Sequence, residues 1–172
     1  MSDVKIESAG ELLAHAYQME LEAQERYEML AEQMAVHNNT DLVRLFAKLA
    51  VVEGLHAKDI LDQMAGMNIP KIDPLDMQWP GFESPEALDF GDMDYMMTPR
   101  QALLLSLEAE ENAFAFFNHL LNATTDPEVK RFASEFAKEE QEHVEMVKKE
   151  LEKYPETVSP APDDMDQAVD QG

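Results

Sequence analysis

Residues 139–147 read EEQEHVEMV, four glutamates and one histidine in nine positions of a predicted helix. Such a run is ordinarily wet helix surface, so helical phase has to decide whether any of it turns inward. A bundle helix buries a seam that repeats at alternating steps of three and four. Around this stretch the seam reads Val129, Ala133, Phe136, Glu140, His143, Val147 and Leu151. Glu140 and His143 are thus in phase with the core, and Glu139, Glu142 and Glu145 are expected at the surface.

The same test applied upstream finds matching intruders. One seam runs Leu13, Ala16, Glu20, Ala23, Tyr27, Leu30 and Met34, with Glu20 its single charge. A second runs Leu42, Phe46, Leu49, Glu53, His56, Ile60 and Gln63. A third, through Leu103, Glu110, Ala113, Phe117 and Leu120, leaves Glu108 and Glu111 on its flanks. An internal comparison selects Glu110: MELEAQERY (19–27) aligns with AEENAFAFF (109–117), pairing Glu20 with Glu110, Ala23 with Ala113 and Tyr27 with Phe117. Each of these glutamates is followed about 30 residues later by Glu-x-x-His, so one helical hairpin is used twice.

Four helices follow, over about 8–37, 41–65, 98–122 and 126–154. Ser8 with Glu11 forms a capping-box pattern, Thr40 caps the second helix, Pro99 opens the third, and Thr125 with Glu128 opens the fourth. Between the hairpins, residues 66–97 carry four prolines and three glycines without helical period. A bundle accommodates so long a connection when it crosses the whole bundle. The segment SPEALDF within it is expected to form a helical turn. Residues 155–172, rich in proline and aspartate, read as an acidic, disordered tail on a single domain spanning 1–154. The fold class is all-α, a four-helix bundle of two hairpins.

Bulk composition narrows the function. Of 172 residues 45% are hydrophobic, enough for a core, while 36 acids against 13 bases give a net charge of −23. Nucleic acid and anionic membranes need a basic footprint, so neither is an expected partner. The absence of cysteine removes disulfides, thiolate zinc sites and iron–sulfur or rubredoxin-type centres. No secretory pattern opens the chain and no apolar run approaches the roughly 20 residues of a membrane span. A cytoplasmic protein is expected.

Four carboxylates in a bundle interior lose several kcal/mol each in hydration unless something compensates them. No lysine or arginine lies on the seams. Two divalent cations would supply four positive charges against four negative ones, and an oxygen and imidazole donor set suits iron, manganese or zinc. The alternative is that these glutamates are protonated or solvated, the histidines are satisfied by hydrogen bonds, and no metal binds.

The paired Glu-x-x-His motifs and the Glu-x-x-Ala-x-x-x-aromatic patterns of the first and third helices resemble the ferritin-like superfamily, closest to its rubrerythrin branch, over residues 8–154. The resemblance implies a di-iron centre held by Glu20, Glu53, His56, Glu110, Glu140 and His143, with Glu53 and Glu140 bridging. It implies an oxidoreductase that reduces hydrogen peroxide or dioxygen, or else a protein that stores or transfers iron, manganese or zinc. No rubredoxin domain follows, so an external electron donor protein is expected, and a homodimer is the expected assembly. Rubrerythrin-type sites carry a further Glu one turn after the third-helix ligand; here that position is Ala113. The plainer centre that results is more like that of ferritin or bacterioferritin, although no fifth helix is visible.

Other residues read more simply. Tyr27 is core packing, with a hydrogen bond behind a ligand or radical quenching as its alternative role. His15, His37 and His119 are off the seams and expected at the surface or helix ends. Met93, Met96 and Met97 fill gaps against the bundle. Phe114, Phe116 and Phe117 span too much circumference for one seam, so some of them are expected at crossover or dimer contacts.

Overall fold

The computed structural model describes residues 5–73, 76, 77, 79 and 97–156. They form four helices: α1 (Ala9–Val36), α2 (Thr40–Met64), α3 (Pro99–Ala123) and α4 (Pro127–Leu151). The SPEALDF turn, Met93, Met96 and the tail beyond 156 lie outside the described residues.

Caps fix where the helices begin. The Ser8 hydroxyl accepts from the Glu11 amide, while the Glu11 carboxylate accepts from the Glu7 amide rather than closing on Ser8. Asn39, not Thr40, caps α2 by accepting from the Leu42 amide. A complete capping box joins Thr98 and Gln101 ahead of Pro99 in α3. Asp126, not Thr125, caps α4, its carboxylate taking the amides of Glu128 and Val129. Asparagine and aspartate rank above threonine as N-caps, and in both places they displace the neighbouring threonine. The α1–α2 turn is three residues long and holds Asn38 at φ 55°, a left-handed conformation that asparagine tolerates.

α1 packs on α2 and α3 on α4, and α1 also meets α4. Two dry cores fill the bundle, one at each end. The first gathers Leu13, Met19, Ile60, Phe117, Val129 and Phe136 with neighbours. The second gathers Leu30, Met34, Phe46, Leu49, Leu103 and Val147 with theirs. α1 and α4 run from the first core to the second, and α2 and α3 run the other way. Hence α2 ends at one end of the bundle and α3 starts at the other, and the described ends of the connection, Trp79 and Met97, lie in the first and the second core.

The crossover covers the first core. Trp79 packs at 5.6 Å on Phe116 and edge-on at 5.1 Å against His15. His15 is therefore buried, contrary to the expected surface position, with Nδ1 2.7 Å from the Glu11 carbonyl. His37 and His119 are exposed. Phe116 meets the crossover, while Phe117 turns inward onto Phe136 at 5.2 Å, as its place on the third seam predicts. Met97 is buried in the second core. Gly10 sits where α1 passes the chain after α2, and a Cβ there would lie 2.9 Å from the Asn68 carbonyl oxygen. No described helix is long and apolar enough to cross a membrane.

Candidate metal centre

Between the two dry cores each helix contributes its seam acid at the same level. Glu20 follows Met19 of the first core and precedes Tyr27 of the second. Glu53 and His56 lie between Ala50 and Ile60, Glu110 between Leu103 and Ala113, and Glu140 and His143 between Ala137 and Val147. Both cores flank the polar layer because the three-and-four seam never breaks; one glutamate takes the place of one apolar residue in each helix. Glu20, Glu53, Glu110, Glu140 and His143 are buried, and Glu108 and Glu111 point outward.

The six side chains converge. Glu53 is central: Oε1 is 3.0 Å from His143 Nδ1, and Oε2 is 3.5 Å from His56 Nδ1. Around His143 stand Glu110 Oε2 at 3.5 Å and Glu140 Oε2 at 3.8 Å. Around His56 stand Glu20 Oε2 at 3.9 Å and, unexpectedly, Glu139 Oε2 at 4.0 Å. The two imidazoles stack at 5.4 Å with planes 6° apart. The donor atoms form three close groups: Glu53 with both histidines, Glu110 with Glu140 and His143, and Glu20 with His56 and Glu139.

Two residues missed by phase complete the layer. Arg26 is buried and its Nη2 lies 3.0 Å from Glu110 Oε1, a fully desolvated ion pair that corrects the expectation of no cation near the seams. Its guanidinium also sits 4.4 Å over the Tyr27 ring, and the Tyr27 hydroxyl donates to the same Glu110 oxygen. Tyr27 therefore packs and also holds a carboxylate. Glu139, expected at the surface, is half-buried. Arg26 was detectable as the one arginine or lysine of α1, placed beside a seam aromatic. Glu139 carried no such signal, since only its neighbour Glu140 is in phase.

Electrostatics divides the acids. Burial, then the charges of neighbouring carboxylates, pushes Glu20 and Glu140 well above the ordinary carboxylate range. Burial also acts on Glu53, but the flanking His143 and His56 overcome it and hold Glu53 low. Glu110 is likewise lowered despite burial, by His143 and Arg26. Burial opposes charge on His143, yet Glu110 and Glu53 raise its pKa to about 10. His56 is raised by Glu53. Burial and the Glu110 carboxylate push Tyr27 well above its ordinary value.

Whether a metal pair fits can be tested on unmet polar atoms. Both Glu53 oxygens, Glu110 Oε2, Glu140 Oε2 and Nδ1 of both histidines are buried without a hydrogen-bond partner. Native interiors leave few such atoms, because a buried polar atom without a hydrogen bond is costly. Here six gather in one place, all metal-donor atoms, around a carboxylate placed to serve two positions. The residues fit two cations bound through oxygen and imidazole.

A family model described as Rubrerythrin matches residues 11–151 of the chain. No curated protein matches it. Among solved structures, the crystal structure of an uncharacterised conserved protein from Magnetospirillum magnetotacticum MS-1 is similar, with 34% identity and a TM-score of 0.74, covering 89% of this chain and 99% of that one.

Proposed function

The chain belongs to the rubrerythrin family, and from that premise we propose that it is a di-iron oxidoreductase reducing hydrogen peroxide or dioxygen. The observation that carries this is the set of six buried donor atoms without a hydrogen-bond partner that converge from Glu53, His56, Glu110, Glu140 and His143. Glu20, Glu53, His56, Glu110, Glu140 and His143 would hold the two ions. When bound, two ferrous ions supply the two electrons that convert one peroxide and two protons into two waters, each ion becoming ferric.

The chain's own residues shape that chemistry. Glu53, with an oxygen toward each histidine, would serve both positions, and Glu140, with Oε2 toward His143, would be the second bridging residue. Arg26 and Tyr27 occupy Glu110 Oε1, leaving Oε2 for the ion. Tyr27 keeps its phenolic proton, which it donates to Glu110. The cores on either side exclude water, so the ions are reached from the His56 edge, where the side chain is 20% exposed, rather than from His143, where it is 5% exposed.

With no cysteine in the 172 residues, re-reduction calls for an electron donor outside this sequence. The expected homodimer is supported by Val51 and Leu55, apolar and exposed one turn apart on α2, rather than by the aromatic surplus, most of which is spent inside.

The test is anaerobic loading with Fe(II), then addition of peroxide or dioxygen with iron oxidation followed by stopped-flow absorbance. Rapid oxidation with matching peroxide consumption is expected, lost in a Glu53→Ala, Glu140→Ala double variant. Equal rates in the two proteins would contradict the proposal, and metal that binds and leaves without changing valence would assign the site to storage or transfer instead.

A further inference from the structure

The polar layer is not symmetric, although the two hairpins repeat. The inner position, around His143, has Arg26 behind it through Glu110 and is closed to solvent. The corresponding residues of the second hairpin, Phe116 and Phe117, offer Glu20 nothing polar. The outer position, around His56, has Glu139 instead.

We propose that Glu139 is a seventh metal-binding residue, a carboxylate that binds the outer cation together with Glu20 and His56. This rests on the two-metal reading above. Distance permits it: two ligand atoms each about 2.1 Å from one cation lie at most about 4.2 Å apart. Nδ1 of His56 is 4.0 Å from Glu139 Oε2 and 3.9 Å from Glu20 Oε2. A second observation points the same way. Glu53 is 1% exposed, and its Oε2, 3.5 Å from His56 Nδ1, has no hydrogen-bond partner, so a buried donor is already aimed into the outer position.

Charge makes Glu139 necessary as well as near. Four seam glutamates would balance two divalent cations on their own, but Arg26 cancels one of them through Glu110. Counting Glu139 restores the balance: five carboxylates less one guanidinium leave four negative charges for two dications. Glu139 also stands at the open edge, its side chain 40% exposed and that of His56 20% exposed. It is thus the carboxylate an incoming cation meets first, and its loss falls on the outer ion alone.

The test titrates metal-free protein with Co(II), followed by calorimetry and d–d absorption, for the wild type, Glu139→Gln and Glu142→Gln. Glu142 is an exposed acid on the same helix and controls for general surface charge. The wild type is expected to bind two ions in two resolvable steps. Glu139→Gln should keep the tighter step and weaken the other at least about tenfold, since loss even of a residue behind a ligand weakens binding that much. The d–d bands of the second ion should change as well, and Glu142→Gln should behave as wild type. An unchanged second step in Glu139→Gln, or equal weakening in Glu142→Gln, overturns the assignment of Glu139 and leaves the two-metal reading standing. A wild type that takes up no Co(II) overturns both.

Discussion

Replacing Arg26 by methionine keeps most of the volume but removes the guanidinium paired with Glu110 Oε1, leaving His143 beside Oε2. The pair is fully desolvated at 3.0 Å. At an effective dielectric of about 20, a 3.0 Å pair is worth roughly 5–6 kcal/mol. Proton uptake by Glu110 limits the loss, because a stranded carboxyl neutralises instead of staying charged. Breaking a buried pair from one side costs about 3–5 kcal/mol. For a domain of this size that lowers the melting temperature by roughly 6–20 °C. The pH dependence has a definite sign. Glu110 is lowered in the folded wild type, so its contribution is present above the unfolded carboxylate value and is lost as pH falls through the folded one. The variant's deficit is therefore larger at pH 7 than at pH 4. The assay is thermal unfolding of metal-free protein by circular dichroism, in a cycle of Arg26→Met, Glu110→Gln and the pair. Glu110→Gln should recover much of the loss in the Arg26→Met background. A drop of less than about 2 °C, or an Arg26→Met cost unchanged by Glu110→Gln, would refute the account of this pair.

Other perturbations follow from the same layer. Tyr27→Phe removes a donor to Glu110 and should cost about 1–3 kcal/mol in denaturant unfolding. In wild type, Tyr27 should resist ionisation in alkaline absorbance titration until the chain unfolds; phenolate appearing at the ordinary tyrosine value would contradict its burial beside a carboxylate. Metal uptake near pH 7 should release protons, measurable with an indicator dye in weak buffer, because His143 is protonated up to about pH 10 in the metal-free chain and must give up its proton to bind. A folded value above the ordinary one means that His143 stabilises the metal-free chain fully below about pH 6.5 and loses that effect as pH rises toward 10. Bound metal should accordingly raise the melting temperature more at pH 9 than at pH 6. Gly10→Ala drives a Cβ to 2.9 Å from the Asn68 carbonyl, backbone that cannot swing away, and should cost about 1–3 kcal/mol. Gly54→Ala meets only the movable Gln24 side chain and should be tolerated.

The sequence disclosed whatever repeats along a single helix. A three-and-four seam is a local property, so Glu20, Glu53, Glu110 and Glu140 stood out as charges where apolar residues belong, and the hairpin repeat picked Glu110 from its neighbours. What phase could not register were contacts set between elements. His15 is off the seam of α1 but is covered by Trp79 from the crossover, a partner more than 60 residues away. Arg26 is buried because it reaches across the bundle to α3. Glu139 flanks its seam but reaches the layer because His56 of α2 stands beside it from across the bundle. The caps differ for a local reason: an Asx side chain beside a threonine competes for the same amides, and spacing alone does not rank them.

Crystals soaked anaerobically with Fe(II) and measured across the iron absorption edge would test the central claim, that four helices bring these acids together to hold two cations, most directly. The account predicts two anomalous peaks per chain, about 3.5–4 Å apart, one on either side of Glu53. The first should lie against His143 and Glu110, and the second against His56 and Glu20. No peak in the polar layer, or iron bound only to outward acids such as Glu108 and Glu111, would contradict it.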